Sequence, residues 1–424
     1  MLPCNYACNT SSHFSRRAFL GSTAALGLSG FANPASAAEL KKSQKRVMVI
    51  FLSGGVSQLE TWDPKPNTDT GGPFKAIQTS VTGTRISELL PHTAKQAHRL
   101  AIVRSLNSIS DDHGVGEKIM LTGRKMEPGI NYPHIGAVSA KLLGSNASAL
   151  PGHIQILPKG GSGFNSSDAT FLGPKFASVS LGDGKPPADI FRPKDLAADT
   201  DAEREAFRQK LNDRFAKSRK SASTEAYTES YTQAERVVKQ AEVFDVEKEN
   251  PKLAEKYGKH DFGRHLLLAR RLLEAGVTYV KVSHSNYDTH HENFDFHIEQ
   301  LGEFDRPFAA LLDDLADRGM LESTLVVVMS EMGRTPRIND RYGRDHWSKA
   351  WSVCMAGAGI KGGVVVGKTN ATGSEVIDRE VDHGQLFHTY LQAVGVDTTK
   401  EFSIAGRKFP IADPSKGPIA ELLA

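Results

Sequence analysis

Short apolar segments of strand length alternate along the chain with longer segments in which apolar residues recur every three or four positions. The strand-like segments are residues 46–52, 100–106, 153–157, 277–282, 324–330 and 351–356. The helix-like segments are residues 252–275, 292–318 and 384–394. Several strands are apolar on both faces, which requires helices on both sides of the sheet. The pattern therefore predicts an α/β fold, a doubly wound and mostly parallel sheet flanked by helices.

Two segments depart from this alternation. Residues from about 195 to 250 are dense in Lys, Arg, Glu, Asp, Ser and Ala, which predicts solvated, charged helices inserted between the two halves of the sheet. Residues 157–176 are rich in Gly, Ser and Pro, which predicts a long loop. Long loops in compact α/β domains are often functional, so this loop is a candidate for shaping a substrate entrance.

The first 37 residues have the pattern of a targeting segment. Arg16 and Arg17 precede a moderately apolar stretch rich in Ala and Gly, and the small residues Ala-Ser-Ala stand at 35–37. We interpret residues 1–37 as a twin-arginine signal peptide, which predicts export to the periplasm or beyond by the twin-arginine machinery. The apolar stretch is shorter than the ~20 residues of a spanning helix, so we expect no stable membrane anchor in the mature chain. Residues 38–424 are then predicted to form a single domain.

Composition and charge narrow the class of protein. The 424 residues are 39% hydrophobic and 24% charged, which is typical of a globular protein. The formal net charge is only +3, and no basic stripe is interleaved with aromatic residues, so nucleic acid is not an expected partner. Of the three cysteines, Cys4 and Cys8 lie in the predicted signal and Cys354 lies in an apolar segment, so we expect no disulfide in the mature chain.

Polar side chains follow several of the predicted strands, where ligands bind in open α/β sheets. The first strand is followed by Gly54 and Gly55, whose backbone N–H groups an anion can approach closely. The other residues near strand ends are His and carboxylate side chains, two arginines and the head of a short helix: His113, His284, Asp288, His290, His291, Glu331, Arg334, Arg344, Asp345 and His346. Imidazole combined with carboxylate suits zinc, manganese or iron. The sequence therefore predicts a metal site at this edge of the sheet.

Structural alternatives remain open for these and neighbouring residues. Asp288 stands a few residues before a predicted helix and could cap it instead of binding metal. Arg334 and Arg344 could clamp an anionic ester, or they could form ion pairs with Glu331 and Asp345. His291 and Glu292 are expected to be solvated, and His297 to lie at the edge of the core. Asp382 is expected to cap the last helix, and His383 is a candidate for a supporting position near the metal.

Five motifs occur in order along nearly the whole mature chain: FLSGGVSQLETWDPKP, LTGR, SNYDTHHENF, SEMGRTP and GRDHW. With the export signal, they resemble the bacterial family catalogued as domain of unknown function 1501, which is similar to the alkaline phosphatase and sulfatase superfamily. The resemblance implies one or two divalent metals at the carboxyl edge of an α/β sheet, beside a nucleophile at a helix N-terminus.

The superfamily has up to two metal sites, and a position-by-position comparison implies that this chain keeps the ligands of one site and lacks ligands of the other. Asp288 and His290 match a metal-binding pair, Glu331 stands where the superfamily has a metal-binding Asp, and His346 matches a later metal histidine. Met332 replaces a metal histidine, and no acidic ligand follows the first strand, so the second site is lost. The implied ligands are Asp288, His290, Glu331 and His346. His113 occupies the nucleophile position and is either a further ligand or a covalent nucleophile.

Two functions follow from this resemblance. The first is a metal-dependent hydrolase of phosphate or sulfate esters, in which His113, Arg334 and Arg344 are catalytic and the last two offset developing charge. The expected metal is zinc or manganese, with calcium as a third candidate. The second is a non-catalytic relative that binds an anionic glycan or another component of the cell envelope. The expected partner is accordingly a small anionic ester or a sulfated or phosphorylated glycan.

Overall fold

A ten-stranded sheet forms the centre of the described part of the chain. The computed structural model describes residues 44–144, 148–158, 163–165, 167–184, 198–218 and 222–424. The sheet strands are β1 (Arg46–Leu52), β2 (Leu100–Asn107), β3 (His153–Leu157), β4 (Gly163–Asn165), β5 (Ser178–Gly182), β6 (Tyr279–His284), β7 (Thr324–Met329), β8 (Trp351–Ala356), β9 (Val364–Val366) and β10 (Val381–Asp382). All six predicted strands are present, with end points that differ by at most two residues.

Most neighbouring strands of the sheet are parallel. The strand order is β9-β2-β8-β7-β1-β6-β3-β5-β4, and β10 also pairs with β2. Strand β1 is parallel to β6 and β7, and β3 is parallel to β5 and β6. Strand β4 is antiparallel to β5, and β8 is antiparallel to both of its neighbours, β2 and β7. The predicted mostly parallel α/β sheet is confirmed.

The direction of β8 decides which residues meet at one edge of the sheet. Because β8 is antiparallel to β7, it begins at the edge where β7 ends. The residues just before β8 therefore lie near those just after β7. A short antiparallel ribbon joins them, in which Arg334 stands opposite His346.

Helices cover both faces of the sheet. They are α1 (Pro91–Gln96), α2 (His113–Thr122), α3 (Ile135–Leu143), α4 (Ala198–Ser218), α5 (Ala222–Lys239), α6 (Pro251–Tyr257), α7 (Asp261–Glu274), α8 (Asn293–Asp317) and α9 (His383–Ala393). Short 3-10 helices are Ala97–Arg99, Thr170–Leu172, Pro174–Phe176, Ala241–Phe244, Val246–Lys248, Leu321–Ser323 and Ala420–Leu422. None of the helices in the described ranges is both long and apolar enough to span a membrane.

The prediction of a single helix over residues 252–275 is wrong, because two helices, α6 and α7, occupy this segment. Gly258 has a φ of +83°, in the region that favours glycine, and ends α6. The imidazole of His260 then accepts a hydrogen bond from the Gly263 N–H and caps α7. Apolar periodicity runs through both helices, so it does not reveal the break.

Strand β1 shows how the two faces of the sheet are filled. Its side chains alternate between faces, as the pleat requires. Met48, Ile50 and Leu52 join an apolar cluster with α7 and α8. Val47, Val49 and Phe51 join a second cluster with α2, α3 and α9. Since both faces are apolar, the sheet has no solvated side at β1, and polar chemistry is confined to the strand ends.

The two irregular segments of the sequence differ in outcome. Helices α4 and α5 occupy the predicted charged segment. The predicted long loop 157–176 contains β4 at the sheet edge, and its role as a substrate entrance stays a prediction. Its buried Asp168 accepts hydrogen bonds from the Gln155 amide and the Ser178 N–H, which fix this loop against the sheet. The predicted signal, residues 1–37, lies outside the described residues.

Four two-stranded ribbons lie outside the central sheet. Their paired strands are Ala76–Gln78 with Arg85–Ser87, Gly333–Arg334 with His346–Trp347, Lys368–Thr369 with Val376–Asp378, and Glu401–Ile404 with Arg407–Pro410.

Candidate metal centre

The ends of four strands bring His and carboxylate side chains together. His113 opens α2 after β2, Asp288 and His290 follow β6, Glu331 follows β7, and His346 precedes β8. Two glycines allow the loops to approach closely. A Cβ on Gly54, whose φ is +115°, would lie 2.4 Å from the Asp288 nitrogen, and a Cβ on Gly343 would lie 2.1 Å from the His290 carbonyl.

Three imidazoles surround the carboxylate of Asp288. His113 Nε2 lies 3.3 Å from Asp288 Oδ2. His346 Nε2 lies 3.1 Å and His290 Nε2 lies 3.2 Å from Asp288 Oδ1. The Nε2 atoms of His290 and His346 are 3.0 Å apart. We refer to His113, Asp288, His290 and His346 as the central cluster.

The other ring nitrogen of each histidine is held by an oxygen. His113 Nδ1 lies 2.7 Å from Glu331 Oε1, and His290 Nδ1 lies 2.7 Å from Asp345 Oδ1. His346 Nδ1 lies 2.6 Å from the backbone oxygen of Asp111. Carboxylate and carbonyl oxygens only accept hydrogen bonds, so each Nδ1 carries a proton. In the neutral rings, Nε2 therefore directs a lone pair towards the cluster centre. Histidines that bind metals are oriented in this way.

The centre of the cluster requires positive charge. Imidazole Nε2 atoms that carry no proton and the carboxylate of Asp288 are all acceptors, and acceptors at about 3 Å repel unless a proton or a cation lies between them. The ligand atoms of His113, Asp288 and His346 lie within 4.8 Å of one another. The hydrogen bond that His113 Nδ1 donates to Glu331 also raises the pKa of His113, although burial partly opposes the rise. Two imidazoles and a carboxylate form a donor set that suits a divalent cation such as zinc.

Arg334 fixes Asp288 from the protein side. Its guanidinium is fully buried and donates to Asp288 Oδ1 and to the carbonyl oxygens of Gly54, Gly55 and Arg344. Burial alone would raise the pKa of Asp288, but the hydrogen bond and charge of Arg334 outweigh it and lower that pKa to about 2. Asp288 is therefore ionised and oriented at neutral pH.

Glu331 lies behind His113 and does not point at the cluster centre. The side chain is 3% exposed, and Oε1 accepts from both His113 Nδ1 and the Gly54 N–H. Oε2 accepts from the Ser330 hydroxyl, which lies 2.8 Å away. The backbone N–H of Gly54, which the sequence suggested could bind an anionic ligand, therefore donates to the carboxylate of Glu331 instead. In this position Glu331 holds the ring of His113, and its predicted role as a metal ligand stays a prediction.

Arg344 forms its hydrogen bonds with residues outside the central cluster. Its fully buried guanidinium forms two hydrogen bonds to the equally buried carboxylate of Glu60, at 2.8 and 3.1 Å, and another to the Thr70 carbonyl. The alternative of an ion pair between Arg344 and Asp345 is not realised, because Asp345 bonds to His290. In this structure Arg344 is the buried partner of Glu60, and its contact with an ester stays a prediction.

We expect Arg344→Met to lower the free energy of unfolding by about 3–5 kcal/mol, because it leaves the Glu60 carboxylate buried without its partner. Urea denaturation would measure the change. Arg341→Met, in an exposed position of the same loop, is the matched control and should change stability by less than about 0.5 kcal/mol. A loss below 1 kcal/mol for Arg344→Met would contradict the assignment.

Capping and burial of the neighbouring polar residues largely follow the sequence. Asp288 does not cap a helix, because α8 begins at Asn293 with Glu292 at its N-cap position. His297 is fully buried, and Asp382 caps α9 with a reciprocal Gln385 bond. His291 and Glu292 are exposed. His383 is buried, and among the described residues it forms no hydrogen bond to the central cluster.

Three groups that matter here were not identified as site residues from the sequence. Glu60 neutralises Arg344, Ser330 bonds to Glu331, and the backbone oxygen of Asp111 holds His346. Glu60 is the one charged residue in the segment VSQLETW, and this isolated charge is the feature of the sequence that could have indicated a buried ion pair. No comparable signal exists for a backbone oxygen, since every residue has one.

Comparisons with known proteins give one family and several distant structures. The family model described as "Protein of unknown function (DUF1501)" matches residues 44–423. A comparison with curated proteins finds no match. Similar solved structures include a sulfatase from Pseudoalteromonas sp., with 12% identity, 86% of this chain and 72% of that chain covered, and a TM-score of 0.39. An alkaline phosphatase from the Antarctic bacterium TAB5 has 12% identity, with 84% and 99% covered and a TM-score of 0.37. At these scores, function has to be argued from the site itself.

Proposed function

The chain belongs to the DUF1501 family of proteins of unknown function, and from its own residues we propose that it is a metal-dependent hydrolase of phosphate or sulfate esters. One observation carries the proposal. Histidine Nε2 atoms, each on a ring whose Nδ1 is held by an oxygen, converge on an ionised aspartate at an accessible edge of the sheet. The signal-like residues 1–37 support action in the periplasm or outside the cell.

We assign His113, Asp288 and His346 as the metal ligands. Their ligand atoms form the compact group, and three protein ligands leave a fourth position open, as catalytic sites require. Imidazole nitrogens favour zinc or manganese over calcium, which prefers oxygen ligands. A divalent cation bound there supplies Lewis acidity towards an ester oxygen.

The charges around the cluster favour a metal-dependent function over metal-free binding of an anion. Asp288, Glu331 and Asp345 contribute three carboxylates, and Arg334 contributes one guanidinium that is already bonded to Asp288. Even with a proton on His113, whose pKa is raised, the three carboxylates outnumber these two cations and repel an anionic ester until a metal cation is bound. A non-catalytic relative that binds an anionic glycan without metal is therefore the less supported alternative.

The remaining imidazole is suited to proton transfer. His290 is 35% exposed, and its Nδ1 is bonded to Asp345, which also lowers the pKa of Asp345. We assign His290 Nε2 as the acceptor of a proton from water that attacks the phosphorus or sulfur atom. As the bond to the leaving alcohol oxygen breaks, that proton returns to the alcohol. Asp345 stabilises the transient imidazolium, as a carboxylate does for a catalytic histidine.

The test is hydrolysis of aryl phosphate and aryl sulfate monoesters by protein stripped with a chelator and then reloaded with zinc or manganese. We expect turnover only after reloading, and a loss of about 100-fold or more in His290→Ala with the metal content retained. His291→Ala, an exposed neighbouring histidine, is the control and should keep full activity. If the protein binds no metal and His290→Ala changes no rate, the proposal fails.

A further inference from the structure

Helix α4 turns polar residues inward and apolar residues outward. Its partly buried positions are Asp201, Glu205, Arg208, Asn212 and Ala216. On an adjacent face lie three large apolar side chains spaced four residues apart: Phe207, Leu211 and Phe215, which are 61%, 49% and 49% exposed. A helix that packs only on its own domain shows the opposite arrangement. We refer to these three side chains as the α4 stripe.

Polar contacts hold α4 against its neighbour α5. Arg208 pairs with Glu205 one turn earlier, and its guanidinium lies 4.2 Å from the ring centre of Tyr231. No described residue of this 21-residue helix is buried. Helices in proteins gain most of their stability from tertiary packing, so burial of the α4 stripe against a partner would stabilise α4.

The α4 stripe has the character of a contact surface between proteins. Exposed apolar side chains that form a contiguous patch mark sites of interaction with other molecules. The three side chains repeat at i, i+4 and i+8, so they form one continuous ridge along the helix. A second helix with the same ridge fits against it.

The charge distribution along α4 favours a second copy of this chain as the partner. Residues 198–207 carry four carboxylates and one guanidinium, a net charge of −3. Residues 208–218 carry four basic side chains and one carboxylate, a net charge of +3. When two copies lie antiparallel, the acidic half of each meets the basic half of the other. A parallel arrangement would oppose like charges.

We propose that α4 pairs antiparallel with α4 of a second copy about a two-fold axis at Leu211. Phe207 of each copy then lies opposite Phe215 of the other, and both stripes are buried in one self-complementary interface. A membrane surface fits less well, because α4 as a whole has no net charge and its first half would be repelled by anionic headgroups. The pairing is independent of the proposed hydrolysis.

Sedimentation of the full chain over a range of concentrations tests the pairing. We expect a dimer for the native sequence and at least about a 100-fold rise in the dimer dissociation constant for Leu211→Glu, because a buried charge would replace the centre of the stripe. Ile377→Glu, at a 56% exposed position elsewhere, is the matched control and should leave the dimer intact. Circular dichroism verifies that both variants are folded.

Cysteine cross-linking tests the direction of the pair. In a background with Cys4→Ser and Cys8→Ser, the one native thiol left is that of Cys354, which is buried. Leu211→Cys should oxidise to a covalent dimer, and a mixture of Phe207→Cys and Phe215→Cys proteins should cross-link while neither does so alone. A native chain that remains monomeric near 100 µM, or that binds anionic vesicles through Leu211 as a monomer, overturns the proposal. Self-cross-linking of Phe207→Cys overturns the antiparallel direction.

Discussion

Replacing Asp288 by asparagine is expected to lower the affinity for zinc or manganese by at least about 100-fold. Substitutions of residues that merely support metal ligands already cost 10–100-fold, and Asp288 contacts all three histidines directly. Asparagine keeps the shape of the side chain, so the change isolates the loss of the charge. Isothermal titration of chelator-treated protein with each metal measures the effect, and ester hydrolysis should fall in parallel.

Asp340→Asn is the matched control for this experiment. Asp340 is exposed on the loop that leads to His346, so its substitution removes one carboxylate near the site without touching the cluster. Its metal affinity should stay within a factor of about two to three, because exposed charges are screened. Equal affinities for the native protein and Asp288→Asn would show that the cation binds elsewhere or not at all.

Arg334→Met is expected to lower the free energy of unfolding by about 3–5 kcal/mol. The guanidinium is fully buried and serves three backbone oxygens and Asp288, so methionine leaves several buried acceptors without a donor. Arg334→Lys should recover part of the loss, since it restores the charge but cannot reach all four acceptors. Urea denaturation at neutral pH measures both variants.

The effect of Arg334→Met should also depend on pH. The folded pKa of Asp288 is about 2, below its ordinary value, so the ionised carboxylate stabilises the native state above pH 4 and this contribution is lost as the pH falls through 2. The difference in stability between the native protein and Arg334→Met should therefore shrink between pH 4 and pH 2. Arg337→Met, at an exposed position three residues away, should show neither effect. A pH-independent difference would mean that Arg334 does not control Asp288.

The strands and most helices could be predicted because the apolar pattern of each segment alone indicates which residues are buried. Strand β1 has seven consecutive buried residues, and α8 repeats apolar residues over 25 positions, so either could be recognised without its partners. The antiparallel direction of β8 could not be predicted, because an apolar segment has the same pattern in a parallel and in an antiparallel strand. The break at Gly258 was missed because the apolar periodicity continues across it.

The composition of the site could be predicted better than the roles within it. The sequence indicated that His113, Asp288, His290 and His346 would meet, since each stands near a strand end at the same edge. It could not separate a ligand from a residue that orients one, because both roles use the same side chains. The position of Glu331 depends on hydrogen bonds from Gly54 and Ser330.

Ion pairs between distant segments were the least predictable part. Glu60 and Arg344 are 284 positions apart, and only the folded chain shows that both are excluded from water. The sequence offered Asp345 as the adjacent partner of Arg344. The structure instead uses Asp345 to hold His290 Nδ1, which needs an acceptor for its proton.

One cation shared by His113, Asp288 and His346 is the basis of the proposed function. Anomalous diffraction from crystals of zinc-loaded protein would locate this cation. We expect a single anomalous peak about 2.0–2.2 Å from Nε2 of both histidines and from a carboxylate oxygen of Asp288. A map without a peak at these residues, or with zinc bound only elsewhere, would contradict it.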